Sequence, residues 1–206
     1  ATWQADAASA WRARELMLDV AAELDTHLHE DVWALDALVG ASRRFPDHDL
    51  PEGAAHALHG LLERMPELSA DKLTYTFKLR KGVRFHDNAC FPGGKGREMT
   101  ADDVIFSLRR FADANLNVKS WFLMDGAVLG LDAFRAATAK AGPKGDTSKL
   151  AIEGIKKIDA SSFSIKLTKP NPLFLFSLAS SSTSVVPPEA VAKYGDQLSA
   201  NPVGTG

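Results

Sequence analysis

The chain has one cysteine, Cys90, so no disulfide can form within it and thiol content carries no signal of redox compartment. No apolar run approaches the ~20 residues that cross a bilayer as a helix, and no basic stretch precedes an apolar core as in a signal peptide. A targeting segment, if the protein is exported, is therefore expected to be removed or to lie outside these residues. Charge of one sign is also lacking. The 24 Lys and Arg against 26 Asp and Glu leave a net charge of -2, which argues against binding nucleic acid or an anionic membrane by bulk charge. There is no HExxH pair, no internal repeat, and no P-loop spacing.

A further absence is local. Residues 1–66 contain no Lys, Ile, Asn or Tyr, whereas Lys occurs 13 times afterwards. All positive charge in that stretch comes from Arg12, Arg14, Arg43, Arg44 and Arg64. His27, His29, His48, His56 and His59, five of the six histidines, also lie there. Apolar residues Trp11, Leu16, Val20, Leu24 and Leu28, continued by Val32, Leu35, Leu38 and Val39, recur at helical spacing up to a stop at Gly40. Phe45-Pro46 and Leu50-Pro51 then break the chain before a short helix from about Ala54 to Arg64.

What is present is ordinary globular composition, 45% hydrophobic and 24% charged, in a chain long enough to bury a core. The most ordered stretch runs from Leu73 to Phe111. Leu73, Tyr75, Phe77 and Leu79 alternate with Thr74, Thr76, Lys78 and Arg80, which predicts a strand with one apolar face. Lys81-Gly82 reverses the chain, and Val83 and Phe85 predict a second strand. A glycine-rich loop follows. Thr100 then stands at a helix N-cap, with Asp102 and Asp103 in the first turn, Val104, Ile105, Leu108 and Phe111 as the buried stripe, and Arg109 and Arg110 near the end. Downstream, the sequence predicts a helix around Gly130 to Ala141 and a turn cluster at Gly142 to Asp146. Ile152, Ile155 and Ile158 lead to a turn at Ala160 to Ser162 and a strand facing inward through Phe163, Ile165 and Leu167. A short buried helix over Leu173 to Ala179, a polar linker at Ser180 to Ser184, and a helix begun by Pro187-Pro188 complete the reading.

The runs TYTFKLRKGVRFHD and MTADDVIFSLRRF, followed in order by AIEGIKKIDASSFSIKLTKPNPLFLFSLA and VVPPEAVAKYGDQLSANPVGTG, resemble the family 5 extracellular solute-binding proteins, over about Met65 to Gly206. Two positions depart from the family, which often has Asp-Gly where this chain has Asp71-Lys72 and Asp87-Asn88. Asn tolerates the left-handed conformation; Lys72 is less comfortable there. The resemblance implies an α/β fold of periplasmic-binding-protein type II-like kind, present in part. Residues 1–66 would be a helical, compositionally divergent segment, 67–180 the mixed α/β accessory domain, and 181–206 a truncated return toward the main lobe. It implies a substrate-binding component of an ABC importer, periplasmic or otherwise outside the cytoplasmic membrane. Such a protein captures a peptide or similar small solute and hands it to permease subunits, without catalysis, cofactor, metal or membrane span. Family members are usually more than twice this long, so the chain is expected to be their N-terminal part. The family's ligand-gripping residues lie mainly elsewhere, and no ligand contact is assigned here. The residue types missing before position 67 are those with AT-rich codons, so much of that segment is expected to be out of register with the family, by frameshift or by divergence.

Other residue patterns carry weaker chemical signals. Phe91 to Gly96 has the glycines and lysine of an anion cradle without P-loop spacing, and reads as an inserted surface loop. His27 and His29 point in different directions on a helix. His56 and His59 share a face, and with a carboxylate such as Glu63 they form the alternative of a metal-dependent hydrolase, although no third ligand is convincingly spaced. A small helical interaction module at the N-terminus is the other alternative. His86-Asp87 reads as structural. Cys90 near Lys95 and Arg97 is either a bland loop cysteine or one that pairs beyond these residues. Trp121-Phe122 and the pair Phe174 and Phe176 are core or cleft-lining, with core favoured.

Overall fold

Alternation from Leu73 to Leu79 sets the centre of a small sheet. A computed structural model of the chain describes residues 61–205. Four strands pair antiparallel in the order β1-β2-β4-β3, where β1 is Glu67–Leu68, β2 is Thr74–Lys78, β3 is Ile155–Lys157 and β4 is Ser162–Lys166. The register places Tyr75 opposite Ile165 and Phe77 opposite Phe163, so the apolar positions of β2 and β4 share one face. The Phe77 and Phe163 rings stack at 4.7 Å with 4° between their planes. The other face carries Thr74, Thr76, Lys78, Ser162, Ser164 and Lys166.

Helix α1, Ala101–Ala112, follows the glycine-rich loop, and α2 is Leu131–Ala141. Leu108 and Phe111 of α1, with Leu131 and Phe134 of α2, fill the space beside the sheet; of the stripe expected on α1, Val104 and Ile105 are only half-buried. Lys157, at the sheet edge, donates to Asp102 in the first turn of α1 at 2.6 Å. Two short helices complete the fold, α3 at Phe174–Leu178 and α4 at Pro188–Tyr194. Leu108, Phe111, Ile155, Ile165, Phe174 and Leu178 line an apolar void of about 10 Å³, room for at most one water and not for a solute.

Several expectations are met: the strand at 74–78, the inward face of Phe163, Ile165 and Leu167, the capped helix, and the proline-started α4. Others need correction. Val83 and Phe85 do not extend the sheet; their stretch pairs back across the glycine loop, with Phe85 N–H donating to Arg97 O and Met99 N–H to Val83 O. The helix expected to reach Arg64 ends sooner, because Leu62 bridges to Leu79 and Glu63 N–H donates to Lys78 O; the rest of that helix lies outside the described residues. Leu173 is 65% exposed, so only Phe174 and Ser177 bury α3. Ile158 is exposed as well.

The Ser180 to Ser184 tract is more than a linker. Thr183 is buried, and its hydroxyl shares donation among the carbonyls of Ser177, Leu178 and Ser180, closing the C-terminal end of α3. Asn88 does not adopt a left-handed backbone; its side-chain oxygen instead accepts from Cys90 N–H and from the Tyr194 hydroxyl. Lys72 does, at φ 59°.

Candidate functional site

The densest polar constellation among the described residues gathers where the glycine loop, α1 and α4 meet. Asp103 is the N3 residue of α1, and its carboxylate reaches back to accept from Thr100 N–H at 2.8 Å and from the Thr100 hydroxyl at 3.0 Å. The same carboxylate takes two bonds from Arg97, Nη1 to Oδ2 at 2.8 Å and Nη2 to Oδ1 at 2.6 Å. Arg97 turns its other edge to Glu189 of α4, Nε to Oε1 at 2.6 Å and Nη2 to Oε2 at 2.9 Å. The guanidinium also lies 5.4 Å from the centre of the Phe85 ring. One planar fork thus serves two carboxylates, a geometry lysine does not reproduce.

The electrostatics follow from the contacts. Burial of Asp103 opposes its ionisation, but the Arg97 guanidinium and the Thr100 N–H outweigh it and hold the carboxyl below the usual range. The Arg97 bonds lower Glu189 also. In return the two carboxylates, against some burial, raise Arg97 further above its already high value. All three groups are charged and paired with one another, so the cluster binds elements of the fold to one another.

Sequence reasoning did not foresee this cluster. Arg97 drew attention only as a neighbour of Cys90. The capping pattern at Thr100 and Asp103 was visible, but Glu189 lies 92 residues from Arg97 and only folding brings it there.

The glycine-rich loop is closed inward. Lys95 Nζ lies 2.6 Å from Asp87 Oδ2, and Gly96 N–H donates to Asp87 Oδ1 at 3.0 Å, so the loop wraps a carboxylate of its own chain where an external anion would sit. Lys95 and then Gly96 lower the Asp87 carboxyl. Gly96 is required by close approach: a Cβ there would lie 1.9 Å from Phe85 O. His86 is exposed and donates its backbone N–H to Gly204 O, and the Asp87 carboxylate pairs with Lys95 and Gly96 rather than with the imidazole.

Burial pushes the Cys90 thiol up, against an activated thiolate. Phe174 is fully buried and packs on Tyr75 at 5.3 Å, which makes it core. Trp121 is half-buried between Phe111 at 6.0 Å and the Arg135 guanidinium at 4.5 Å, while Phe122 is 62% exposed. Phe176 is intermediate. His27, His29, His48, His56 and His59 lie outside the described residues, and Glu63 is engaged by Lys78 at 3.0 Å. Among the described residues, no three His, Cys, Asp or Glu side chains converge on a metal position.

Residues 57–206 match the family described as bacterial extracellular solute-binding proteins, family 5 middle. The chain belongs to this family. The dipeptide-binding protein of Escherichia coli K12 is 34% identical over 164 residues, an overlap of 75% of this chain and 26% of that protein. Heme-binding protein A of Haemophilus influenzae is 32% identical over 145 residues, 68% of this chain and 24% of that one. The chain thus spans about a quarter of the length of the curated relatives it matches.

Among solved structures, a periplasmic oligopeptide-binding protein of Borrelia burgdorferi superposes with a TM-score of 0.56 at 25% identity, over 71% of this chain and 26% of that one. Listeria monocytogenes OppA bound to peptide gives 0.56 at 24% identity, over 70% and 26%. The fold is therefore that of part of a type II periplasmic binding protein, as the sequence implied. No helix among the described residues is long and apolar enough to cross a membrane.

Proposed function

We propose that this chain is part of the substrate-binding component of an ABC importer, working outside the cytoplasmic membrane on a peptide or similar small solute. The observation that carries the reading is the family match over residues 57–206, reinforced by the identity to a dipeptide-binding protein. The role is binding without catalysis, and the partners are the permease subunits that receive the loaded protein. Ligand capture in two-lobed binding proteins works by hinge closure, which buries the solute between lobes. The described residues supply scaffold to that device: a packed sheet, a void too small for a solute, and an ion cluster with both carboxylates engaged.

In this reading residues 67–180 are the accessory mixed α/β domain and 181–206 lead back toward the main lobe. Much of residues 1–66, ahead of the match that begins at residue 57, is out of register with the family, through a shifted reading frame or through real divergence. Translating the other frames of the coding DNA decides between these, and no family-like segment in any frame removes the frameshift.

The functional test is uptake. Deleting the gene in its own host is expected to abolish import of labelled di- to oligopeptides, and complementation with the intact gene to restore it. Unchanged peptide uptake, with loss of haem uptake instead, would transfer the reading to the substrate named for the Haemophilus relative.

A further inference from the structure

We propose that α4 and the segment after it, 188–204, form a releasable strap on the domain, with the Arg97–Glu189 pair as its latch. The strap buries little. Ala190 is the single buried side chain of α4, and Val203 the one beyond it. Its hold is polar and lands on one stretch, residues 86–97. Arg97 grips Glu189 with two bonds, Lys193 Nζ donates to Ala89 O at 2.6 Å, the Tyr194 hydroxyl donates to Asn88 Oδ1 at 2.7 Å, and His86 N–H donates to Gly204 O at 2.8 Å.

The segment is pinned at its upstream end. The buried Ser107 hydroxyl accepts from Val186 N–H at 2.9 Å and also faces Val186 O, so the backbone there is tied to α1. Past that point every hydrogen bond named above is one that water can replace at a partly exposed surface, and within 188–204 only Ala190 and Val203 are buried. Glu189 keeps a third of its side chain exposed and Arg97 slightly more. Gly195, at φ 50° and ψ -120°, separates α4 from the turn that follows. Opening the strap therefore leaves the sheet core and the Arg97–Asp103 pair untouched, which is the condition for a local opening that does not pass through global unfolding. On the two-lobe reading, 181–206 lead toward the main lobe, so the latch sets how rigidly the accessory domain rides on it; that consequence rests on the proposed function, whereas the strap itself does not.

Hydrogen exchange on the full 206-residue chain tests it. Amides of α4 are expected to exchange at least about tenfold faster than those of β2 and β4. Glu189→Gln is expected to speed α4 by a further factor of about ten while α1, β2 and β4 stay unchanged, and 0.5 M salt is expected to act in the same direction. Tyr194→Phe, which removes only the Asn88 contact, should give a smaller increase confined to α4, and serves if Glu189→Gln does not fold. Exchange of α4 in step with β2 and β4 in the unmodified chain overturns the proposal, as does a variant that accelerates all of them together. Neither outcome depends on what the protein transports.

Discussion

Arg97 and Asp103 form a two-pronged ion pair, with Asp103 1% exposed and its Oδ2 also accepting from the Thr100 N–H. Removing the arginine leaves a buried charge with no countercharge. Arg97→Met is expected to destabilise the domain by about 2–3 kcal/mol, below the full penalty for a buried pair because Arg97 is itself partly exposed. Arg97→Lys should recover only part of this, since one ammonium cannot serve both carboxylates in the planar, two-pronged fashion. Urea unfolding followed by circular dichroism measures both.

The same pairing fixes a pH dependence. Asp103 and Glu189 are both held below their ordinary carboxyl values in the folded state. Their contribution to stability is therefore complete above the ordinary carboxyl range and is lost as pH falls through that range and below. Stability measured from pH 7 down to pH 3 should fall most steeply below about pH 4.5. Asp103→Asn should flatten that fall, and a profile unchanged by the substitution would contradict the account.

Lys72 occupies a left-handed backbone, φ 59°, with its side chain exposed. Glycine adopts that conformation without the Cβ clash. Lys72→Gly is expected to stabilise by about 0.5–1 kcal/mol, set against a more flexible unfolded chain. A lowered thermal midpoint would show that Lys72 makes compensating contacts.

Gly96 sits against the backbone of the Phe85-His86 segment, where a Cβ would meet Phe85 O, Phe85 C and His86 O. These are main-chain atoms and cannot rotate aside. Gly96→Ala should cost about 1–3 kcal/mol or more by forcing the loop away from Asp87. Lys95→Ala, which removes only an exposed ion pair, should leave the melting temperature nearly unchanged. The contrast between the two, read by thermal melting, separates packing from charge in this loop.

The stacked pair Phe77 and Phe163 joins β2 to β4 across a sequence separation of 86 residues. Phe163→Ala is expected to cost about 3–5 kcal/mol, because the cavity lies at the centre of the sheet and the neighbouring strands hold it open. A loss below about 1 kcal/mol would mean that the site collapses freely.

Local pieces of the fold are legible in the residue order. Period-two alternation made β2 and β4 legible, the Thr100 and Asp103 spacing announced α1, and Pro187-Pro188 announced the start of α4, because each rests on contacts a few residues apart. The residue order also carried the family, through four ordered segments whose match extends over residues 57–206. Other features emerge only from packing between distant segments. Val83 and Phe85 alternate as a strand should, yet their hydrogen-bond partners lie across the glycine loop, at Arg97 and Met99. Thr183 looked like linker until the end of α3 supplied three carbonyls for its hydroxyl. Above all, Glu189 meets Arg97 only after the sheet, α1 and the returning chain have assembled. A side chain's charge is written in the sequence, but the partner that satisfies it is set by distances that only the packed fold establishes.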